Sequence, residues 1–335
     1  MALIEFTEKG MYVAQAGVYI DPWRGVDRAI ITHGHSDHAR SGSEHYLSHV
    51  QSLPILRRRI GNQQFQGVVY GESININGVK FSLHPAGHVL GSSQVRVEYK
   101  GEIWVASGDY KLENDGVSPA FEPVNCHTFI TESTFGLPVF NWQPQHTIMN
   151  EINDWWKLNK EKGMCSILLA YSLGKAQRIL QHIDPSIGNV YVHGSVASMN
   201  EAYEEAGITL NKYQKPTADL PKSAYAGALV IAPSSTENSS WMKRFEPYST
   251  GIASGWMAMR GFRRRMSADR GFVLSDHADW AGLNKAISAT GASKILVTHG
   301  YTQPFSRWLN EKGLEAHAVQ TRFTGESPEN KDEPA

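Results

Sequence analysis

The segment His33-Gly34-His35-Ser36-Asp37-His38 puts four ligand-capable side chains into six positions, directly after an apolar run, Ala29-Ile30-Ile31-Thr32. A strand that stops at Thr32 presents all four at one sheet edge. Imidazole and carboxylate together suit zinc and equally allow manganese or iron. Four such groups this close cannot all serve one ion comfortably, so the spacing assigns His33 and His35 to one metal and Asp37 and His38 to a second. The plainer alternative is a polar surface turn whose histidines cap a helix.

Composition agrees with metal chemistry and excludes other classes. The chain has 14 histidines and only two cysteines, Cys126 and Cys165, too few for a disulfide scaffold or a four-thiolate zinc site. That usage predicts a reducing, cytoplasmic setting. The N-terminus mixes Glu5, Glu8 and Lys9 into its apolar residues, giving no signal-peptide core and no membrane span. With 335 residues, 41% of them hydrophobic, the chain can bury two domains, or one domain carrying a large insertion. Lys plus Arg (32) balance Asp plus Glu (33), which gives no global attraction to polyanions. The average hides an acidic tail: residues from Gly325 carry a net charge of -3, leaving +2 on the rest.

Apolar runs alternate with helical periodicity, the pattern of a layered α/β protein. The first third reads as strands at Val18–Ile20, Ala29–Thr32, Gly67–Tyr70, Val95–Val97, Ile103–Ala106 and Phe129–Thr131, with a hairpin turn at Asn77-Gly78. From about residue 136 the texture becomes βα: helices at Gln145–Lys160, Lys175–His182 and Ser198–Ala206, strands at Ser166–Ala170, Val190–Val192 and Leu229–Ala232, as in a parallel sheet. Strands return at Gly271–Ser275 and Lys294–Thr298, with a helix at Asp279–Ala289 between them. If these rejoin the first sheets, the middle segment is an insertion. The expected division is 1–135 with 271–320, an inserted 136–270, and a disordered tail at 325–335.

The histidine run resembles the metal motif of the metallo-β-lactamase superfamily. Its other elements occur in order: a strand ending in Asp21, a Gly-rich turn holding His88, a strand leading to Asp109, and a late strand closing on His299. The resemblance implies an αββα sandwich and two divalent metal ions, Zn or Mn. Metal one takes His33, His35 and His88, metal two takes Asp37, His38 and His299, Asp109 bridges, and Asp21 supports the site.

Between Asp109 and His299 the chain resembles the β-CASP branch, whose members act on nucleic acids. Glu132 ends the strand Phe129–Thr131, His277 lies in Phe272-Val273-Leu274-Ser275-Asp276-His277-Ala278-Asp279, and Tyr171-Ser172-Leu173-Gly174-Lys175-Ala176-Gln177-Arg178 is similar to the branch's LGRAQ-like helix entrance. The catalytic set this implies is Asp37, His277 and Glu132. Two metals would activate water and hold the phosphate, while a histidine near neutrality protonates the departing sugar oxygen. That general acid is His277, oriented by Glu132.

Met259–Arg270 holds five arginines, among them Arg260, Arg263, Arg264 and Arg265, a local footprint for phosphates. Trp241, Phe245, Trp256 and Phe262 nearby could stack bases or form core. Ser172 and Lys175 are candidates for a terminal phosphate at a helix start. Arg57-Arg58-Arg59 reads as a solvated helix face, and His45, His49, His127, His146, His182 and His317 as solvated or structural.

The overall likeness is to bacterial ligase-associated DNA exonucleases, implying a single-stranded or end-containing DNA substrate, 5′ polarity, and a functional link to a DNA ligase and helicase. His299 complicates that choice: several DNA-processing members have an apolar residue there, whereas RNA-processing members keep histidine. A ribonuclease is the second reading. A small-molecule hydrolase would have no use for Glu132 or His277, and a scaffolding relative would have lost metal ligands.

Overall fold

The computed structural model describes residues 2–265 and 267–323, so the acidic tail and the order expected of it lie outside the described residues. In chain order the elements are β1 (Glu5–Thr7), β2 (Gly10–Val13), β3 (Val18–Ile20), β4 (Arg28–Ile30), β5 (His45–His49), α1 (Leu53–Ile60), β6 (Gln64–Val68), β7 (Ser73–Ile76), β8 (Val79–Pro85), β9 (Ser93–Tyr99), β10 (Glu102–Ala106) and β11 (Thr128–Ser133). There follow α2 (Gln145–Glu161), β12 (Cys165–Leu169), α3 (Lys175–His182), β13 (Val190–Val192), α4 (Gly194–Glu205), β14 (Leu229–Ala232), β15 (Tyr248–Ala253), α5 (Arg260–Arg265) and β16 (Arg270–Phe272). The chain closes with α6 (Trp280–Thr290), β17 (Lys294–Gly300), α7 (Thr302–Glu311) and β18 (Glu315–Ala318). The fold is mixed α/β with three sheets.

Two compact units divide it, residues 2–141 with 277–323 and residues 142–276. The first holds a six-stranded sheet, β1 to β6 in sequence order, and a seven-stranded sheet ordered β18-β17-β11-β10-β9-β8-β7. Alternate residues of the two sheets meet in one apolar core: Met11, Val18, Ile20, Ile30 and Leu47 from one, Phe81, Leu83, Val95, Val97 and Leu296 from the other. The opposite face of the seven-stranded sheet is covered by Leu283, Ile287, Phe305 and Leu309 of α6 and α7. Leu56 of α1 packs on Ala29 and Tyr46 of the six-stranded one. Local chemistry sets the boundaries. Asn77 and Gly78 both take positive φ, the geometry that turns β7 tightly into β8. The Asp279 carboxylate accepts from Gly282 N at 2.7 Å to start α6, and Gly291 in the left-handed region ends it.

The second unit is a five-stranded, all-parallel sheet ordered β13-β14-β12-β15-β16. Its strands are apolar nearly throughout because both faces are buried, and Ile148, Ile152, Trp155 and Trp156 of α2 pack with Leu168, Ile231 and Phe272. Strand β15 is not among those expected from the sequence, and two expected elements have other bounds. The helix expected from Ser198 begins at Gly194, since the His193 imidazole accepts from Ser195 N at 3.2 Å and caps it. The strand expected over Gly271–Ser275 ends at Phe272, where Leu274 N turns back to Phe272 O and Arg178 takes the Ser275 carbonyl. No helix among the described residues is long and apolar enough to cross a membrane.

Candidate metal centre

Parallel pairing builds the site. β3 runs parallel to β4, and β10, β11 and β17 run parallel to one another, so their carboxyl ends share an edge. Asp21 follows β3, the His33–His38 loop follows β4, Asp109 follows β10, Glu132 lies in β11 and His299 in β17. Strand β8 runs antiparallel to β9, and the turn after it holds His88. Ser93 N donates to Thr32 O at 2.8 Å, joining the strand after His88 to the histidine loop.

The ligand atoms of His33, His35, His88 and Asp109 all lie within 4.8 Å of one another, as do those of His38, Asp109 and His299. Asp109 is shared. Its Oδ2 lies 3.5 Å from His33 Nε2, 3.6 Å from His38 Nε2 and 3.8 Å from His88 Nε2, while Oδ1 is 2.9 Å from His299 Nε2. Asp37 Oδ2 stands 3.7 Å from His38 Nε2. His88 Nε2 and His35 Nδ1 are 3.0 Å apart.

Asp21, fully buried, controls which ring nitrogens face this centre. Its Oδ1 accepts from Thr32 N at 2.8 Å, and its Oδ2 accepts from Thr32 Oγ1 at 2.6 Å and from His38 Nδ1 at 2.7 Å. The single Thr32 hydroxyl proton is thereby committed to Asp21. His33 Nδ1, 3.0 Å from Thr32 Oγ1, must therefore donate to it. With both rings neutral, as a bound cation requires, each imidazole then turns an Nε2 lone pair toward Asp109.

The buried Nε2 atoms of His33, His38 and His299, and Asp109 Oδ1, make no well-aligned hydrogen bond among the described residues, although His299 Nε2 and Asp109 Oδ1 stand 2.9 Å apart as an ion pair. Leaving buried polar atoms unmatched costs about 1–3 kcal/mol each, and a divalent cation satisfies such converging nitrogen and oxygen donors. The residues present fit two such ions. Electrostatics agree: burial, reinforced by His38, His88 and His35 against the pull of Asp109, holds His33 well below the usual imidazole range. Burial and His88 take His35 down to about 3. For His38 burial opposes the charge, but Asp37, Asp109 and Asp21 outweigh it and lift the ring to about 10. Burial would raise Asp109, yet the imidazoles of His38, His299 and His277 hold it well below the carboxylate range. One protonated imidazole thus balances this carboxylate cluster when no cation is bound.

Beside the centre, His277 Nδ1 donates to Glu132 Oε2 at 2.8 Å, and both are buried. Burial pushes Glu132 up, but His277 wins and lowers it. Glu132 Oε1 also accepts from Tyr110 N at 2.8 Å, fixing the carboxylate one residue from Asp109. Asp109, Glu132 and His277 form a third close group.

The remaining sequence candidates, the α5 arginines, Ser172 and Lys175, belong to the second unit. Arg260, Arg263, Arg264 and Arg265 are exposed on α5. Phe245 and Trp256 are buried as core, with Trp241 and Phe262 half-buried. Lys175, a candidate phosphate contact, is fully buried, its Nζ 3.9 Å from Asp276 Oδ2 and 4.6 Å from the centroid of Tyr171. Ser172 Oγ bonds with Ser195 Oγ at 3.0 Å. Conversely, Arg59, read from the sequence as solvated, donates from Nε to Gly34 O at 3.2 Å within the histidine loop. His49, one of the histidines set aside as solvated or structural, is the latter: it is buried and stacked on Tyr70 with centroids 3.6 Å apart.

No family model matches the chain. Among curated proteins it is similar to a probable DNA ligase of Opitutus terrae, 28% identical over 314 residues, 92% of this chain and 30% of that protein. It is also similar to endoribonuclease YSH1 of Saccharomyces cerevisiae, 29% identical over 123 residues, 36% of this chain and 16% of that one. RNase aCSPSF2 of Saccharolobus solfataricus is 29% identical over 119 residues, 35% of this chain and 24% of that one. The chain thus spans less than a third of the length of the curated relatives it matches. Among solved structures, a protein of unknown function from Enterococcus faecalis V583 has the same general fold, with a TM-score of 0.57 at 13% identity over 88% of this chain and 79% of that one.

Proposed function

We propose that the chain is a metal-dependent phosphodiesterase of the β-CASP type, its first unit a metallo-β-lactamase αββα sandwich and its second the inserted β-CASP domain. The observation that carries this reading is the Glu132–His277 pair at 2.8 Å beside Asp109, an imidazole additional to those needed to hold two cations. His33, His35 and His88 would hold one cation, Asp37, His38 and His299 the other, with Asp109 between and Asp21 fixing the ring tautomers. Divalent cations there, zinc or manganese, supply Lewis acidity toward water and a phosphate oxygen. His277 gives its Nε2 proton to the departing sugar oxygen, and Glu132 holds Nδ1 so that Nε2 is the nitrogen that acts. The exposed arginines of α5 supply phosphate contacts.

For the polymer, DNA is the first reading because the relative aligned over 92% of this chain is named a probable DNA ligase, which supports end processing linked to ligation. RNA is the second, favoured by the relatives named endoribonuclease YSH1 and RNase aCSPSF2 and by histidine at position 299. End-labelled DNA and RNA of matched sequence, with and without a 5′ phosphate, are digested with Mn²⁺ or Zn²⁺ and resolved by length. Stepwise loss from the 5′ end of DNA, abolished by chelator, is the expected result. Faster internal cleavage of RNA selects the second reading, and cleavage of neither polymer refutes the proposal.

A further inference from the structure

Strand β18 runs parallel to β17, with Ala318 opposite Val297, and Val319 N continues the pairing to Val297 O at 2.8 Å. The next residues are therefore carried toward the end of β17 that bears His299. There Phe323 is buried, 8% exposed, among the apolar side chains between the two sheets. Its ring lies parallel to that of His38, with an interplanar angle of 0° and centroids 4.3 Å apart. It meets His299 at 5.8 Å and 65°, and Trp23 supports it edge-on at 5.5 Å. His38 also meets the His33 ring, at 4.2 Å and 42°.

His38 is thus held by three contacts: Asp21 at Nδ1, and His33 and Phe323 as the ring contacts. Only Nε2 remains directed at Asp109 and Asp37. We propose that Phe323 is a positioning residue for the second cation, an aromatic wall that keeps the His38 and His299 imidazoles in register and water away from them. The inference rests on the metal-centre reading above. Preorganised ligands bind cations more tightly, and groups behind them typically contribute 10–100-fold in affinity. His35 and His88, the outer ligands of the other cluster, make no ring contact with Phe323 among those described, so the effect falls on one cation.

The test is Mn²⁺ titration of the full chain by calorimetry and electron paramagnetic resonance, with thermal melts alongside. The wild type binds two cations in this reading. Phe323→Leu, which keeps apolar bulk but removes the flat ring, weakens the second binding step about tenfold or more while the first and the melting temperature hold. Phe323→Tyr restores the second step. Unchanged binding in Phe323→Leu and Phe323→Ala overturns the inference, and so does equal weakening of both steps in proportion to lost stability. A wild type that binds fewer than two cations overturns the two-cation reading itself, a result separate from any difference between variants.

Discussion

Replacing Asp21 by Asn removes one charge and exchanges one oxygen for an amide, and the structure dictates the consequence. Asp21 sits at φ 44°, a conformation Asn tolerates, so the backbone is not the target of the change. If the Asn oxygen keeps the 2.8 Å bond from Thr32 N, its NH₂ faces Thr32 Oγ1 and His38 Nδ1, where Asp21 Oδ2 accepted at 2.6 and 2.7 Å. An NH₂ can only donate there, which drives the His38 proton to Nε2. The freed Thr32 hydroxyl then donates to His33 Nδ1, and that ring also shifts its proton to Nε2. Both nitrogens lose the lone pair a cation needs. If the amide flips, two donors confront each other at Thr32 N. Either arrangement should weaken cation binding about 10–100-fold, roughly 1.4–2.7 kcal/mol, and the lost charged hydrogen bonds cost the cation-free fold about 1.5–3 kcal/mol. Both steps of a Zn²⁺ or Mn²⁺ titration should be affected, because His33 and His38 belong to different clusters. Thr32→Val, which leaves the Asp21 bond to His38, should weaken the His33 cluster more. A folded Asp21→Asn chain with wild-type affinities for both cations would refute the tautomer argument.

His277→Ala should retain both cations by elemental analysis yet lose about 10²–10⁴-fold in nuclease rate; a wild-type rate would remove His277 from the chemistry, whereas His33→Ala should lose metal as well. Gly108→Ala should lower the melting temperature and cation affinity together. Gly108 has φ 58°, and a Cβ there would stand 2.8 Å from Thr32 Cβ and Oγ1, behind the histidine loop. Cation binding at His38 should release about one proton near pH 8, read from calorimetry in buffers of different ionisation enthalpy. The sign follows from a ring raised to about 10: its proton stabilises the cation-free fold fully below the ordinary value of 6.5 and progressively less as pH rises through 10, so cation affinity should climb with pH over that window. Buffer-independent heats would refute it.

What the sequence made legible follows from how locally each feature is determined. The His33–His38 run is a statement about ligand atoms within six residues, and the turn at Asn77-Gly78 needs only two residues that accept positive φ. The parallel strands of the second unit announce themselves by continuous apolar runs such as Leu229–Ala232, buried on both faces. Other features depend on partners far away in sequence, and single residues carry no mark of them. Lys175 looks like a cation at a helix start, and only the arrival of Asp276, about a hundred residues on, turns it inward. Arg59 belongs to a triplet indistinguishable from a solvated face, but the fold places α1 so that this arginine reaches Gly34 O. Strands β5 and β18 were missed because their polar residues, His45 and His49 in one and Glu315 and His317 in the other, mask the alternation.

The same dependence explains why the site is more than its ligands. A loop carrying His33, His35, Asp37 and His38 would collapse onto water and its own backbone if nothing held the rings apart. Here Asp21 from the preceding strand sets two tautomers through one threonine, Gly108 leaves room for that threonine, and Phe323 stacks flat on His38. Each support comes from a different element, and of them only Asp21 belongs to the motif. A substitution at Gly108 or Phe323 should therefore look benign in a search for metal ligands and still alter cation affinity, because imidazole orientation, and not the presence of imidazoles, decides whether Nε2 meets a cation.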